Sequence, residues 1–470
     1  MIRIRSKTSA ALSDNALQTN LRQALHKSLE SRSLAVGEVS NWEELRQHAH
    51  DVKAHTLSRL DHYLQELEGQ VLSQGGKVFW AETGAEALEF IVGLLQERQI
   101  KKVAKSKTML GEEIHLNKEL ERAHLEPVET DLGEYIIQLS RETPFHIVTP
   151  ALHKSKKEVV ELFGRELGMP PTDDVEKITA TARAVLRRHF LSAGAGMTGV
   201  NFGIAETGTL VVVENEGNAR LCASLPDIHI AIMGIEKVIP RAQDLPVFLK
   251  LLSRSATGQK STSYVNLLNG PRREGEWDGP REFYLVLVDN GRSRILADSA
   301  LRQTLNCIRC GACLNVCPVY QSIGGHAYGS TYQGPIGAIL TPQLTSLETA
   351  PEHPFASSLC GACYEHCPVK IEIPHILLKL RERVQEKHQR LARRLPFEKW
   401  AMQAWAWAMS SSSRYLALGN LLRKLQPFFI KKGRMRIPLP QVADWERYRE
   451  LPRIPKKSFR ELYGMKDEGK

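Results

Sequence analysis

The chain has 470 residues, 42% of them hydrophobic and 25% charged, which is the composition of an ordinary soluble protein of two to four domains. No stretch approaches 18 consecutive apolar residues, so the sequence excludes a transmembrane helix. The net charge of +10 comes from the end of the chain, because residues 371–470 hold 23 Lys and Arg against 10 Asp and Glu.

The first segment, residues 1–75, is predicted to be helical. Residues 40–43 read Ser-Asn-Trp-Glu, which has the form of a capping box. Leucines and a valine recur at helical spacing after it and predict one long helix. Two glycines, Gly75 and Gly76, are expected to end that helix.

Residues 76–298 are predicted to form an α/β domain with a largely parallel sheet, because strand-like and helix-like stretches alternate. The predicted strands are 77–81, 102–104, 127–129, 144–148, an apolar stretch within 223–233, and 283–288. The predicted helices are 86–99, 111–123, 156–166 and 175–191.

The densest stretch of this domain contains a glycine triplet and two isolated carboxylates. Gly194, Gly196 and Gly199 match the spacing G-x-G-x-x-G. They follow a predicted helix, whereas a dinucleotide fingerprint follows a strand, so close packing is the favoured interpretation. Glu206 and Glu216, each within two residues of a glycine in this stretch, are candidates for ligand binding or catalysis, with solvated turn residues as the equal alternative.

Residues 299–394 carry seven of the eight cysteines in two runs that repeat each other. Both runs contain Cys-Gly-Ala-Cys and end in Cys-Pro-Val, and three cysteines of the second run follow their counterparts by 50 residues. The repeat has one gap, because Ser357 stands where a fourth cysteine is expected. The runs are Cys307, Cys310, Cys313 and Cys317, then Cys360, Cys363 and Cys367.

This spacing is typical of bacterial two-cluster ferredoxins, in which the last cysteine of each run ligates the other cluster. The pattern predicts two 4Fe–4S clusters, the second with three thiolates and a 3Fe–4S form when oxidised. The first would take Cys307, Cys310, Cys313 and Cys367, and the second Cys317, Cys360 and Cys363.

Other uses of these cysteines fit less well. Structural zinc prefers two pairs closing one tetrahedron, and disulfides need an oxidising compartment. The N-terminus has no apolar signal-peptide core, which favours reduced thiols and a cytoplasmic location.

Cys222 is interpreted as a small buried hydrophobe. His326, in a glycine-rich segment between the runs, is a candidate for the missing ligand, with a solvated loop histidine as the alternative.

Residues 395–470 form a basic C-terminal module. Between positions 399 and 443 there are eight Lys or Arg and no Asp or Glu, and Trp400, Trp405 and Trp407 lie in the same region. Basic charge with aromatic side chains suits an anionic membrane surface, an acidic partner subunit or, more weakly, nucleic acid. Docking of a partner protein is the favoured interpretation, because neighbouring tryptophans usually bury against protein.

The two cysteine runs, the Gly-Gly-His-Ala-Tyr-Gly-Ser segment between them and the motifs Ala-Glu-Thr-Gly-Thr and Asn-Glu-Gly-Asn closely resemble the lactate utilization protein B family. The closing Asp-Trp-Glu-Arg-Tyr-Arg segment resembles that family's C-terminal module. The resemblance implies a LUD domain similar to the sugar-phosphate isomerase and CoA-transferase type of fold, joined to a mainly helical ferredoxin domain. It also implies that the gap at Ser357 belongs to the family pattern.

The function that this resemblance implies is electron transfer within a bacterial complex that oxidises L-lactate to pyruvate. Its partners would be the other subunits of the complex, and a redox protein or the quinone pool would accept the electrons. Nucleic acid is not expected as a partner. The alternative is an enzyme that transforms an organic acid or acyl-CoA through Glu206 or Glu216, with the clusters accepting electrons. A redox-sensing nucleic-acid binder would need a strongly salt-dependent affinity for DNA.

Overall fold

The computed structural model describes residues 2–391, 397–431, 434–435 and 449–463. Contacts divide the chain into two compact units, Met1–Val384 and Gln385–Lys470. The first unit joins the N-terminal helices, the α/β region and the cysteine runs, and its largest hydrophobic core draws on all three. The division into four domains stays a prediction.

The first unit is built on a six-stranded sheet in which every pair of neighbours is parallel. The strand order is β1-β10-β7-β4-β2-β3, and β7 is buried along its whole length. The predicted α/β fold with a parallel sheet is therefore confirmed. The strands of this sheet are β1 (Lys77–Ala81), β2 (Lys102–Lys105), β3 (Glu126–Glu129), β4 (Ala195–Gly199), β7 (Ile228–Gly234) and β10 (Glu282–Val288).

A smaller four-stranded sheet has the order β8-β5-β6-β9. Its two outer pairs differ, because β5 and β8 are parallel whereas β6 and β9 are antiparallel. Its strands are β5 (Phe202–Ile204), β6 (Thr209–Glu214), β8 (Val238–Ile239) and β9 (Tyr264–Leu268).

Helices precede the large sheet and alternate with its strands. The N-terminal helices are α1 (Arg5–Ser13), α2 (Asn15–Gly37), α3 (Trp42–Ser58) and α4 (Leu60–Ser73). Those among the strands are α5 (Gly84–Glu97), α6 (Met109–Glu113), α7 (Leu116–Arg122), α8 (Leu132–Ser140), α9 (Lys156–Leu167), α10 (Val175–Ser192), α11 (Asn218–Ser224), α12 (Leu245–Thr257) and α13 (Arg292–Ala297).

The region of the two cysteine runs consists of short helices joined by turns. Its α-helices are α14 (Ala312–Val316), α15 (Pro318–Ile323), α16 (Gly334–Leu344), α17 (Ala362–Glu365) and α18 (Ile373–Leu391). Its 3-10 helices are Arg302–Asn306, His326–Tyr328 and His353–Phe355. The second unit contains the helices Phe397–Met409, Ser412–Leu425 and Phe459–Leu462, the 3-10 helix Gln426–Phe429 and the strand pair Ile430–Lys431 with Arg434–Met435.

Two predicted helices are each divided in the structure. The long N-terminal helix breaks at Arg59, whose backbone angles are not helical, and Leu57 and Leu60 on either side are both buried. The predicted capping box is also wrong. Asn41, rather than Ser40, is the residue that precedes α3, and no side chain caps the helix. The predicted helix 111–123 breaks at His115, which has a φ of 60°.

The predicted strand 144–148 is wrong. The ring of His146 accepts hydrogen bonds from the backbone N–H groups of Val148 and Thr149, at 3.0 and 3.2 Å. The N–H of Phe145 donates to the carbonyl of Pro150 within the same turn. These local bonds use the backbone donors that a strand would need, so the segment folds back on itself.

The glycine triplet 194–199 lies in and next to β4, where it serves close packing. A Cβ on Gly196 would lie 1.8 Å from the carbonyl oxygen of Cys222, so only glycine fits there. Cys222 is fully buried, as predicted.

Candidate iron–sulfur centre and adjoining cavity

The first cysteine run folds as a loop that keeps its backbone close to three thiols. Arg309 and Gly311 both have positive φ, 61° and 84°, and so reverse the chain between successive cysteines. A Cβ on Gly311 would lie 2.9 Å from Val148, so this position needs glycine for space as well as for its φ. The loop therefore packs directly on the 144–150 turn.

Four thiols line one small cavity. Cys307, Cys310 and Cys313 from the first run meet Cys367 from the end of the second. The remaining walls are mainly apolar side chains and Pro368. Burial raises the pKa of Cys367 to about 11, and it raises the pKa values of Cys310 and Cys313 as well.

The chemistry of this cavity fits an iron–sulfur cluster. Without a metal, a buried thiol is protonated, whereas bound iron would hold it as a thiolate. Two backbone N–H groups already donate to these sulfurs, from Arg309 to Cys307 at 3.4 Å and from Ile371 to Cys367 at 3.3 Å. Such N–H groups are also among the features that set a cluster's reduction potential.

The other three thiols form a second group. The pKa of Cys363 is raised to about 12 by burial, and the nearby charges of Cys317 and Cys360 add to the shift. Cys360 is exposed, whereas Cys317 and Cys363 are buried. Leu359 and Gly361 have φ values of 57° and 87°, which turn the chain on each side of Cys360 as in the first run.

Ser357 and His326, the two alternatives for the missing ligand, have other partners. The Ser357 hydroxyl oxygen accepts a hydrogen bond from the N–H of Leu359 at 3.1 Å. The Nε2 of His326 lies 2.7 Å from the carbonyl oxygen of Thr143, and its ring packs edge-on against Phe145. Both residues stay predicted candidates for the fourth ligand of the second cluster.

A buried chain of ion pairs joins the first cysteine loop to the large sheet. Arg309 lies 3.2 Å from Glu236, and Glu236 lies 2.6 Å from Arg292. Arg292 in turn lies 2.8 Å from Glu113, which also accepts the hydroxyl of Tyr332 at 2.5 Å. Burial alone would raise the pKa of Glu236, but the two arginines outweigh it and lower the pKa to about 2.

Two buried cations of helix α3 donate hydrogen bonds to backbone carbonyls of the second cysteine run and of the segment after β7. Arg46 of α3, only 8% exposed, donates to the carbonyl oxygens of Cys367 at 2.9 Å and of Tyr364 at 3.1 Å. Lys53 of the same helix donates to the carbonyl oxygens of Glu236 and Val238. Burial lowers the pKa of Lys53 to about 8.

A cavity of about 650 Å³ opens beside the first cysteine loop. Its walls include residues that follow the carboxyl ends of β2, β4, β7 and β10, which is where open α/β sheets bind ligands. Cys310 lines both this cavity and the thiol-lined one. A molecule in the larger cavity would therefore lie directly against a predicted cluster ligand.

The two carboxylates singled out in the sequence are separated. Glu216 lines the cavity and accepts the N–H of Leu132 at 3.0 Å. Its pKa is raised to about 7, because partial removal from water and the nearby charge of Asp131 disfavour the carboxylate. Glu206 is exposed, is not among the residues that line the cavity, and accepts the N–H of Ala242 at 2.9 Å.

Sequence reasoning missed the charged residues of this region, namely Lys53, Glu113, Glu236, Lys237, Arg292 and Arg309. One signal was available for two of them. Glu236 and Lys237 lie in the 3-10 helix Ile235–Lys237, which follows the apolar strand β7 at the sheet edge that carries ligand sites. The partners of Glu236 come from distant segments and have no marker of their own.

Three family descriptions match successive parts of the chain. The LUD domain matches residues 64–288, the 4Fe-4S dicluster domain residues 303–371, and the lactate utilisation protein B C-terminal domain residues 379–468. A solved structure of a DUF162 family protein from Deinococcus radiodurans has a TM-score of 0.25 and 12% identity, covering 49% of this chain and 98% of that chain. With so low a score, this likeness supports no conclusion about the fold.

Curated relatives match over nearly the whole length. Lactate utilization protein B of Bacillus velezensis is 43% identical over 97% of this chain and 96% of its own. The proteins of the same name from Anoxybacillus flavithermus and a Geobacillus species are each 46% identical, over 91% and 93% of this chain and 90% and 91% of their own. This chain therefore belongs to the lactate utilization protein B family.

Proposed function

We propose that the protein is the iron–sulfur electron-transfer subunit of a bacterial complex that oxidises L-lactate to pyruvate. Its relatives are named for lactate utilization, and a dicluster domain spans both cysteine runs. The observation that carries the proposal is the arrangement of seven thiols in two groups, four around one cavity and three in a second group. When bound, the two clusters accept and donate single electrons.

The ligands proposed for the first cluster are Cys307, Cys310, Cys313 and Cys367, and those for the second are Cys317, Cys360 and Cys363. The two groups are neighbours, because Cys313 feels the charge of Cys363 as well as those of its own group. This proximity would favour electron transfer between the clusters. The cations Arg46, Lys53 and Arg309, whose side chains are largely removed from solvent, would offset the negative charge that clusters and thiolates bring to the site.

To test the proposal, the protein would be purified anaerobically with the products of neighbouring genes and assayed for lactate oxidation with an artificial acceptor. A Cys310→Ala variant should lose lactate-dependent electron flow and about half of the cluster iron. Cys222→Ala is the matched control, because Cys222 is also buried but lies in neither thiol group. Full electron flow in Cys310→Ala would refute the proposal.

Crossed ligation gives a sharper expectation. Cys367→Ala should disturb the first cluster although Cys367 belongs to the second run, and Cys317→Ala should disturb the second. Mössbauer and electron paramagnetic resonance spectra of the two variants would identify which cluster each one loses. If Cys367→Ala instead spares the first cluster and damages the second, each run holds its own cluster and the crossed assignment is wrong.

The C-terminal module is proposed to dock a partner subunit. Trp400, Trp405 and Trp407 lie on the helix Phe397–Met409, and each is more than half exposed. An acidic partner protein fits the basic charge of this segment best, and peripheral contact with an anionic membrane is the alternative. Within the described residues, no helix combines the length and the apolar character that crossing a membrane requires.

Truncation after Arg394 tests this docking role. The shortened protein should keep both clusters, because all seven cysteines lie upstream, but should lose most co-purification with its partner subunits. Iron content and pull-down yield measure the two effects separately. Complete co-purification of the truncated chain would contradict the prediction.

A second candidate function is an organic-acid or acyl-CoA enzyme that uses the carboxylates of the LUD domain, with the clusters as electron acceptors. The cavity beside Cys310 supports this second candidate function, because Glu216 lines that cavity. The double variant Glu206→Gln, Glu216→Gln should abolish lactate-dependent electron flow in the assembled complex if this candidate is right. Unchanged electron flow would rule it out.

A further inference from the structure

Among the cations that line the cavity of about 650 Å³, Lys237 is the one without an ion pair in the described part of the chain. Arg292 and Arg309 pair with Glu236, and Lys107 lies 2.9 Å from Glu134. Lys237, which also lines the cavity, has no hydrogen bond or ion pair to any residue that the structure describes. It directly follows Glu236, the partner of Arg309, and so stands at the end of the cavity that borders the first cysteine loop.

A second polar group in the cavity also lacks a partner. Ser106, directly after β2, is only 3% exposed, and its hydroxyl makes no hydrogen bond within the described part of the chain. Buried hydroxyls are almost always hydrogen-bonded, so an unpaired one in a cavity indicates a missing polar partner. Lys237 and Ser106 follow different strands of the sheet, β7 and β2, and both need an acceptor.

The cavity's carboxylates, by contrast, are already engaged. Glu214 accepts the N–H groups of Ala219 and Arg220 at 2.7 and 2.9 Å, and Glu216 accepts that of Leu132. Apolar side chains make up much of the remaining wall, namely Met109, Val200, Val212, Ile232 and Leu252. Burial and the nearby charge of Arg309 lower the pKa of Lys237 to about 7, so a bound anion would stabilise its ammonium form. A cavity with an unpaired lysine, an unpaired hydroxyl and apolar walls suits an organic anion.

We propose that this cavity binds the carboxylate group of a small organic acid at Lys237, next to the loop that carries Cys310. The proposal rests on the proposed function for the kind of acid, a 2-hydroxy acid or the 2-oxo acid formed from it. Lys237 supplies the counter-charge and Ser106 a hydrogen-bond donor, and both act as binding residues. The substrate side of the reaction would then be held by this chain, with the acid directly beside the first cluster.

The test is calorimetric titration of the full chain, with clusters reconstituted anaerobically, using sodium L-lactate and sodium pyruvate as probes. Lys237→Met should weaken binding about ten-fold or more, because a charged hydrogen bond is lost, while Lys237→Arg should retain most of it. Lys250→Met is the matched control, since Lys250 is an exposed lysine of α12 outside the cavity, and it should leave binding unchanged. Ser106→Ala should weaken binding about three-fold or more.

Further arms separate this inference from the proposed function. A shift of the first cluster's electron paramagnetic resonance signal on adding pyruvate is expected, because Cys310 lines the cavity. The inference would be overturned if the parent protein bound neither acid, or if Lys237→Met and Ser106→Ala bound the acids as tightly as the parent protein. Tighter binding of inorganic phosphate than of either carboxylate would also overturn it.

If the complex oxidises lactate while this chain binds neither acid, the inference fails and the proposed function stands. If the chain binds pyruvate through Lys237 but lactate never delivers electrons to it, the inference stands and the proposed function fails.

Discussion

Replacing Glu236 by glutamine is expected to destabilise the protein by about 3–5 kcal/mol, the cost of leaving buried charges without their partner. Glu236 is 1% exposed and pairs with both Arg292 and Arg309. Glutamine keeps the shape but removes the negative charge, so Arg292 keeps only Glu113 and Arg309 loses its ion pair with Glu236. Because Arg309 lies between Cys307 and Cys310, the first cluster should also assemble poorly.

Urea unfolding of the iron-loaded protein under argon measures this effect, followed by absorbance and by iron release. Glu44→Gln is the matched control, because Glu44 is an exposed glutamate of α3. The control should unfold at the same urea concentration as the parent protein. An unchanged midpoint and full iron content in Glu236→Gln would contradict the prediction.

Mild oxidation of the parent protein should convert its second cluster from the 4Fe–4S to the 3Fe–4S form. If the proposed ligands Cys317, Cys360 and Cys363 hold this cluster, one iron is left to a weaker donor. The Ser357 oxygen is a harder donor than a thiolate and already accepts the N–H of Leu359, so this iron should be the labile one. The exposure of Cys360 gives oxidants access to the same cluster.

Electron paramagnetic resonance should show the 3Fe–4S signal after oxidation, and ferrous iron under reducing conditions should remove it. Ser357→Cys should suppress most of the signal by restoring the full ferredoxin pattern. Ser358→Cys is the matched control, since it adds a thiol one residue away, where the repeat does not call for one. Eight irons per chain that survive oxidation in the parent protein would show that another residue closes the site firmly.

The fold could be predicted largely because its signals are local. Apolar runs bounded by polar residues marked β1, β2, β3 and β10, and their alternation with helices predicted the parallel sheet. The strand at 144–148 was mispredicted because one side chain, His146, takes the backbone hydrogen bonds of its own segment. Nothing in the apolar pattern of those residues reveals that competition.

Of the candidate site, only the two groups of thiols could be predicted, because the spacing of the cysteines indicates them. That spacing predicts which thiols belong together, and the ligation itself stays a prediction. The cavity beside them depends on residues far apart in the chain, since Arg309 and Glu236 are separated by 73 positions and Lys237 and Ser106 by more than a hundred. A lysine or a serine without a motif has no signal until the fold shows that its partner is missing.

The central claim is that electrons from lactate pass through the clusters of this chain. The most direct measurement mixes the assembled, oxidised complex with L-lactate under argon and freezes samples at successive times for electron paramagnetic resonance and pyruvate analysis. We expect signals from this chain's reduced clusters to rise at the rate at which pyruvate first forms, and to be absent in the Cys310→Ala complex. Pyruvate formed at the full rate while these clusters stay oxidised would contradict the account.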